Sequence, residues 1–391
     1  MSSRTKKPGH HSRYGRNCCV TSNSFNAAAG IIDEKKYFHL LVEKLRQIVV
    51  RPVKLMEVCG THTMAIGKAG MRGVLPPEVE LISGPGCPVC VTADSDIDAF
   101  MRLAKDERVI LATYGDMVRV PGTEGSLAEL KAQGADVRVV YSALEALDFA
   151  RTEGDKEVVF LGIGFETTAP ATAHAIKTAK AENLSNFSIY NLHKTVPEAL
   201  RVLLEDETTT IDGFILPGHV SVIIGETPYA FIAEEYGIAG AIAGFEPPEI
   251  MAAIVKLVKD INAETPVISN LYRKAVRPEG NVVAQNLLRE IFTSADADWR
   301  GLGVIPGSGL ALSKNYEQFD AAQKLGIEKI QVKLHPGCRC GEILKGIIKP
   351  RQCPLFAKRC TPENPVGPCM VSSEGTCAAY FLYHGGDGHV G

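Results

Sequence analysis

The chain has 391 residues, 45% hydrophobic and 22% charged, with a net charge of -3. That length exceeds one typical core, so two or three domains are expected. The near-neutral charge leaves no basic footprint for nucleic acid, and no stretch approaches the roughly 18 uninterrupted apolar residues of a membrane helix.

Residues 1–33 carry Arg4, Lys6, Lys7, Arg13 and Arg16 before the first acid, Asp33. They lack the apolar core of a secretory signal. Such a composition reads as a disordered basic tail, with an organellar transit peptide or a vector-derived start as the alternative. Cys18 and Cys19 lie within it and are given no role.

A helix is expected over 34–50, with Tyr37, Leu40, Leu41, Leu45, Ile48 and Val49 on its apolar face. One theme then recurs: a β-branched run, a Gly/Pro turn, and a polar residue opening a helix. Strands are predicted over 53–58, 80–83, 109–114 and 137–141, with helices over 94–105 and 126–133. A second series follows, with strands over 158–163, 187–192, 213–216 and 238–243. Strands alternating with helices imply an α/β fold of parallel sheets flanked by helices. In such sheets ligands sit outside the carboxyl ends of the strands, and every unusual motif falls there.

From about residue 266 the pattern becomes irregular, apart from a helix over 282–292. The last fifty residues are rich in Cys, Pro and Gly, too poor in periodicity to build much core without a bound metal cluster. The expected division is the tail (1–33), a first α/β domain (34–142), a second (143–262), then a return segment and a small C-terminal metal-cluster domain (263–391).

Eleven cysteines are many for this chain. A large chain without a signal peptide needs no disulfide staples, so their grouping points to metal or redox chemistry in an intracellular protein. Cys338, Cys340, Cys353, Cys360, Cys369 and Cys377 fall within forty residues. No C-x2-C pair of a zinc site occurs among them. Cys338, Cys353, Cys360 and Cys377 are separated by 14, 6 and 16 residues, which suits an iron–sulfur cluster approached from several loops. Zinc and uncommitted thiols are the alternatives, and spacing alone cannot choose four ligands from six.

Cys87-Pro88-Val89-Cys90 lies between a predicted strand and a helix, where backbone N–H groups and the helix dipole favour thiolate. It reads as a reversible dithiol, with half of a metal site as the rival. In Cys59-Gly60-Thr61-His62-Thr63, a thiol at a strand end with His62 nearby suits a nucleophile–base pair or a metal ligand. A buried structural cysteine is the plainer reading. GFETTAP (164–170), PGHV (217–220) and GFEPP (244–248) are turns that can hold an anion at a helix N-terminus. Glu166, His219 and Glu246 within them suit acid–base, binding or simple capping roles.

Taken in order, CGTHT, GPGCPVC, GFETTAP, PGHV, GFEPPE and the cysteine-rich tail resemble the HypD family of hydrogenase maturation proteins, from about residue 34 onward. The resemblance implies a cytoplasmic scaffold on which the Fe(CN)2CO moiety of [NiFe] hydrogenase is assembled. It implies a small HypC-type chaperone and a HypE-type cyanide donor as partners. By the same resemblance Cys59 holds the iron with His62 nearby, and Cys87 and Cys90 supply electrons. Cys338, Cys353, Cys360 and Cys377 ligate a [4Fe-4S] cluster, with Cys340 and Cys369 left over. A free-standing iron–sulfur disulfide reductase is the alternative.

Overall fold

The computed structural model describes residues 33–328 and 337–383. Of the tail expected over residues 1–33, residues 1–32, with Cys18 and Cys19, lie outside the described residues.

Among the described residues, nine strands form two parallel sheets. They are β1 (Val53–Glu57), β2 (Val79–Ser83), β3 (Val109–Thr113), β4 (Val137–Val139), β5 (Glu157–Gly162), β6 (Phe187–Asn191), β7 (Gly213–Pro217), β8 (Ala239–Ala243) and β9 (Ile268–Asn270). The first sheet runs β2-β1-β7-β8-β9 and the second β4-β3-β5-β6. Every residue of β3, β7 and β8 is buried, as parallel strands covered on both faces require. Eight strands fall within a residue or two of their predicted positions. The ninth, β9, has only three residues.

The sheets do not follow the expected division at residue 142. β1 pairs with β2 on one side and with β7 on the other, Leu55 opposite Gly213. The first sheet therefore draws on segments 53–83 and 213–270, and the second on 109–191. The apolar pattern of a strand records its burial but not its neighbour, so the excursion into the second sheet leaves no local trace.

The helix Glu34–Ile48 starts where the Asp33 side chain accepts the Lys35 N–H. Its packed stripe is Phe38, Leu41, Val42, Leu45, Ile48 and Val49. Tyr37 and Leu40, expected on that face, are exposed. The stripe is displaced toward Val42, which the helix Pro247–Asn262 and the first sheet cover.

The stretch after residue 266, expected to be irregular, holds an antiparallel hairpin, β10 (Phe292–Trp299) and β11 (Gly303–Leu312). It returns the chain to the second sheet, where Ile291, Phe292, Leu312 and Phe319 share a core with β3, β5 and β6. Residues 337–383 fold into short helical turns whose apolar side chains join the cluster that holds Met56, Ile82, Val89 and Val91. Among the described residues no helix is long and apolar enough to cross a membrane.

Candidate functional site

β1 ends at Glu57, and two residues on Cys59 is the N-cap of the helix Gly60–Lys68. The His62 and Thr61 N–H groups face its sulfur and favour thiolate, but burial outweighs them and pushes the thiol up to about 11. The next turn, GPGCPVC, crosses the Cys59 backbone directly. The Gly86 carbonyl accepts the Gly60 N–H at 2.9 Å, and a Cβ on Gly86 would lie 2.3 Å from the Cys59 nitrogen. Glycine alone permits that crossing. It locks the iron-ligand candidate and the dithiol candidate into one unit.

Cys87 caps the short helix Pro88–Val91, and its sulfur accepts the Cys90 N–H. The two sulfurs stand 2.7 Å apart as thiols. Beyond them the sulfur series continues. Cys90 lies within hydrogen-bonding reach of Cys369, and Cys369 reaches Cys340 and Cys377 as well. Cys340 is 3.3 Å from Cys338. Donation from three neighbouring thiols holds the Cys369 thiol low, while burial and thiol contacts hold Cys90 high.

Gly367 passes beside this group. A Cβ there would fall 2.7 Å from the Cys340 sulfur and 2.9 Å from that of Cys338. Cys360 accepts the Val366 N–H, and Cys353 lies against the Gly337 carbonyl at 4.0 Å. These donors are buried or half-buried sulfur with neither carboxylate nor imidazole among them, which fits a soft metal cluster in chemistry. Among the described residues, no three His, Cys, Asp or Glu side chains converge as a bound metal ion demands. The thiols are gathered, and a ligand set is not singled out.

His62 is fully buried, with Nε2 2.8 Å from the Gly244 carbonyl and Nδ1 without a partner. A carbonyl accepts only, so Nε2 carries the proton. Burial pushes this imidazole down to about 4. His62 and His219 both stack on Phe245, at 4.7 and 3.9 Å between centroids. The CGTHT, PGHV and GFEPP turns thus meet on one ring.

Glu166 is buried. One of its oxygens accepts the Val196 N–H at 2.9 Å, the other has no partner, and burial pushes the carboxyl up to about 7. It stands close enough to the buried Tyr229 to raise that phenol, as does Cys59. Glu246 forms a reciprocal cap with Glu249 at the start of Pro247–Asn262, a local role that accounts for its position.

The sequence left Cys340 and Cys369 unassigned and gave no sign of Glu374 or of the hairpin. Cys340 and Cys369 link the CPVC pair to the C-terminal cysteines. Glu374 accepts a 2.6 Å hydrogen bond from Thr61 and carries its charge close to Cys59 and His219. The hairpin braces the whole: Trp299 stacks on Phe165, while Arg300 pairs with Asp94 and donates to the Thr92 carbonyl.

Two cavities open on opposite ends of the sulfur series. One, about 400 Å³, is lined by Cys87, Tyr114, Asp116, Tyr141, Thr168 and Glu374. The other, about 870 Å³, is lined by Cys338, Cys340, Arg300, Lys358 and Arg359, among others.

A family model, HypD, described as the hydrogenase formation hypA family, matches residues 36–384. The chain belongs to the HypD family. It is 46% identical over 341 residues to the hydrogenase maturation factor HypD2 of Bradyrhizobium diazoefficiens, covering 85% of this chain and 90% of the relative. It is 45% identical over 351 residues to the Escherichia coli hydrogenase maturation factor HypD, covering 88% and 94%. A putative hydrogenase expression/formation protein of Methanocaldococcus jannaschii is 43% identical over 354 residues, covering 90% and 98%. Membership in the HypD family makes this chain a hydrogenase maturation factor, and the site described above lies within the matched span.

Proposed function

We propose that this chain is a cytoplasmic, redox-active scaffold on which the Fe(CN)2CO moiety of [NiFe] hydrogenase is assembled. The observation that carries the reading is the crossing of Gly86 over Cys59, which joins a metal-anchoring thiol to a dithiol within one turn. Family membership supplies the pathway. A HypC-type chaperone and a HypE-type cyanide donor are the partners that fit it.

Cys59 is the proposed anchor for the iron cargo. Its buried thiol keeps its proton until a cation replaces it, so iron binding and proton release are linked. Cyanide delivered as a thiocyanate, R–S–CN, leaves as CN⁻ with R–SH when two electrons and one proton are supplied. Closing Cys87 and Cys90 to a disulfide supplies two electrons and two protons, the second proton passing to solvent. Cys369, in reach of Cys90, Cys340 and Cys377, gives the pair a thiol route by which to be reduced again. A [4Fe-4S] cluster held by Cys338, Cys353, Cys360 and Cys377 would supply electrons one at a time.

Infrared spectra of the anaerobic complex with the small chaperone test the proposal. Wild type should show bound CN and CO absorption, and Cys59→Ala should not. Cys87→Ala should retain iron and fail in cyanide release. A chain that reduces disulfides yet neither binds the chaperone nor shows these bands is a stand-alone reductase.

A further inference from the structure

The sulfur series has two ends, and each opens on a different cavity. Cys87 lines the smaller one, with Glu374 and Asp116. Cys338 and Cys340 line the larger one, about 870 Å³. Cys338 is only half-buried, whereas the other five C-terminal cysteines are buried. It is therefore the sulfur of this group that a visitor meets first.

The charge of the larger cavity is one-sided. Arg300 and Asp94 both line it, but they pair with each other. Lys358 and Arg359 remain on its rim, both exposed. They follow Cys353 and precede Cys360 in one tight turn, with Ala357 at φ 54° and the Ala357 N–H bonded to the Cys360 carbonyl. Two cations are thus held beside the cysteines by the turn that carries Cys360.

We propose that this cavity is the docking port for an acidic, protein-borne one-electron carrier, with Lys358 and Arg359 as its positive rim. The inference rests on the relay reading above, which consumes two electrons per cyanide released and needs them replaced from outside. Each reduced carrier gives up one electron at this port. Two encounters turn one disulfide of the series into two thiols, with two protons taken from water. The separation of ports lets the carrier dock while the Cys87 cavity is occupied by the cyanide donor. A positive rim around a recessed redox group steers an acidic partner and fixes its orientation more than it tightens binding.

The test is titration of the full chain with an acidic plant-type [2Fe-2S] ferredoxin, by calorimetry at low and high salt. Wild type should bind, with affinity falling as salt screens the contact. Lys358→Glu with Arg359→Glu should weaken binding about tenfold or more at an unchanged melting temperature. Lys35→Glu with Lys44→Glu makes the same change in net charge on exposed positions of the first helix, and should leave binding as in wild type. The proposal is overturned if wild type does not bind, if binding ignores salt, or if both double variants weaken it equally. It also falls if inorganic phosphate binds at the rim and the carrier does not. Binding is read without reference to cyanide chemistry. A carrier that binds at Lys358 and Arg359 without reducing Cys87–Cys90 would sink the relay and leave the port standing.

Discussion

Thr61 donates a 2.6 Å hydrogen bond to Glu374, a partner 313 residues away in sequence. Thr61 is two positions after Cys59, and Glu374 lies in the loop between Cys369 and Cys377. The cysteine-rich segment is therefore fastened to the turn that presents Cys59. Its position is set by contacts with that turn as well as by its own sulfurs.

The contact leaves no room at Gly60. A Cβ there would meet the Glu374 Cβ at 2.6 Å and its carbonyl oxygen at 2.7 Å. Backbone cannot yield as a flexible side chain can, so Gly60→Ala should destabilise the fold by about 1–3 kcal/mol. Thr61→Val, which removes the hydroxyl that serves both Glu374 and the Cys59 sulfur, should cost about 1 kcal/mol. Denaturant unfolding at fixed pH checks both, and a Gly60→Ala variant as stable as wild type would show that the segment can move aside.

A second fastening is ionic. Glu57, fully buried on β1, accepts from Arg72 and from the Ser83 hydroxyl, and Arg72 lies 5.0 Å over the Tyr380 ring of the helix Thr376–Tyr383. Burial raises the Glu57 carboxyl despite its cation. Arg72→Ala leaves that carboxyl unpaired and should cost about 3–5 kcal/mol. Adding Glu57→Gln should recover part of the loss, because the stranded charge is then gone. Urea midpoints of the single and double variants decide it: a double variant no better than the single one rules out the stranded charge as the cause.

Burial sets two opposed pH responses. Glu166 is pushed up to about 7 from a usual 4.5, so the native state holds a proton that the unfolded chain releases. Its contribution to stability is complete below 4.5 and lost as pH rises through 7. His193, buried, is pushed down to about 3 from 6.5. Its contribution is complete above 6.5 and lost as pH falls through 3. Glu166→Gln should therefore gain on wild type between pH 5 and 7, by up to about 1.4 kcal/mol per pH unit. His193→Gln should flatten the acid limb instead. Stability curves that run parallel to wild type across these windows would contradict both assignments.

The parallel strands and the motifs at their carboxyl edges were legible because each strand is a short buried run closed by a Gly/Pro turn. Sheet membership was not, since pairing of Leu55 with Gly213 is written in no local pattern. The hairpin was hidden for a different reason. β10 alternates only through small residues, Ala295 and Ala297 between Ser294, Asp296 and Asp298, and β11 carries Gly303, Pro306, Gly307 and Gly309, so neither offers the β-branched run that marks the parallel strands. Cys59 and the CPVC pair stood out by position. Cys340 and Cys369 did not, because in sequence they are two more cysteines among six, and only packing brings Cys369 to Cys90.

That packing separates two jobs which spacing could not. If Cys377 is a cluster ligand and Cys369 a relay thiol, Cys377→Ala should lose iron and sulfide together. Cys369→Ala should keep both at the wild-type level. The second variant should nonetheless fail to pass electrons to Cys87 and Cys90, because the thiol between Cys90 and Cys340 is missing. Anaerobic iron and sulfide analysis gives the first readout. Mass-tag labelling of Cys87 and Cys90 after dithionite treatment gives the second, with the pair remaining unlabelled in Cys369→Ala and labelled in wild type. Loss of iron and sulfide from Cys369→Ala would move that residue into the ligand set. Full labelling in the same variant would mean that electrons reach the CPVC pair by another route.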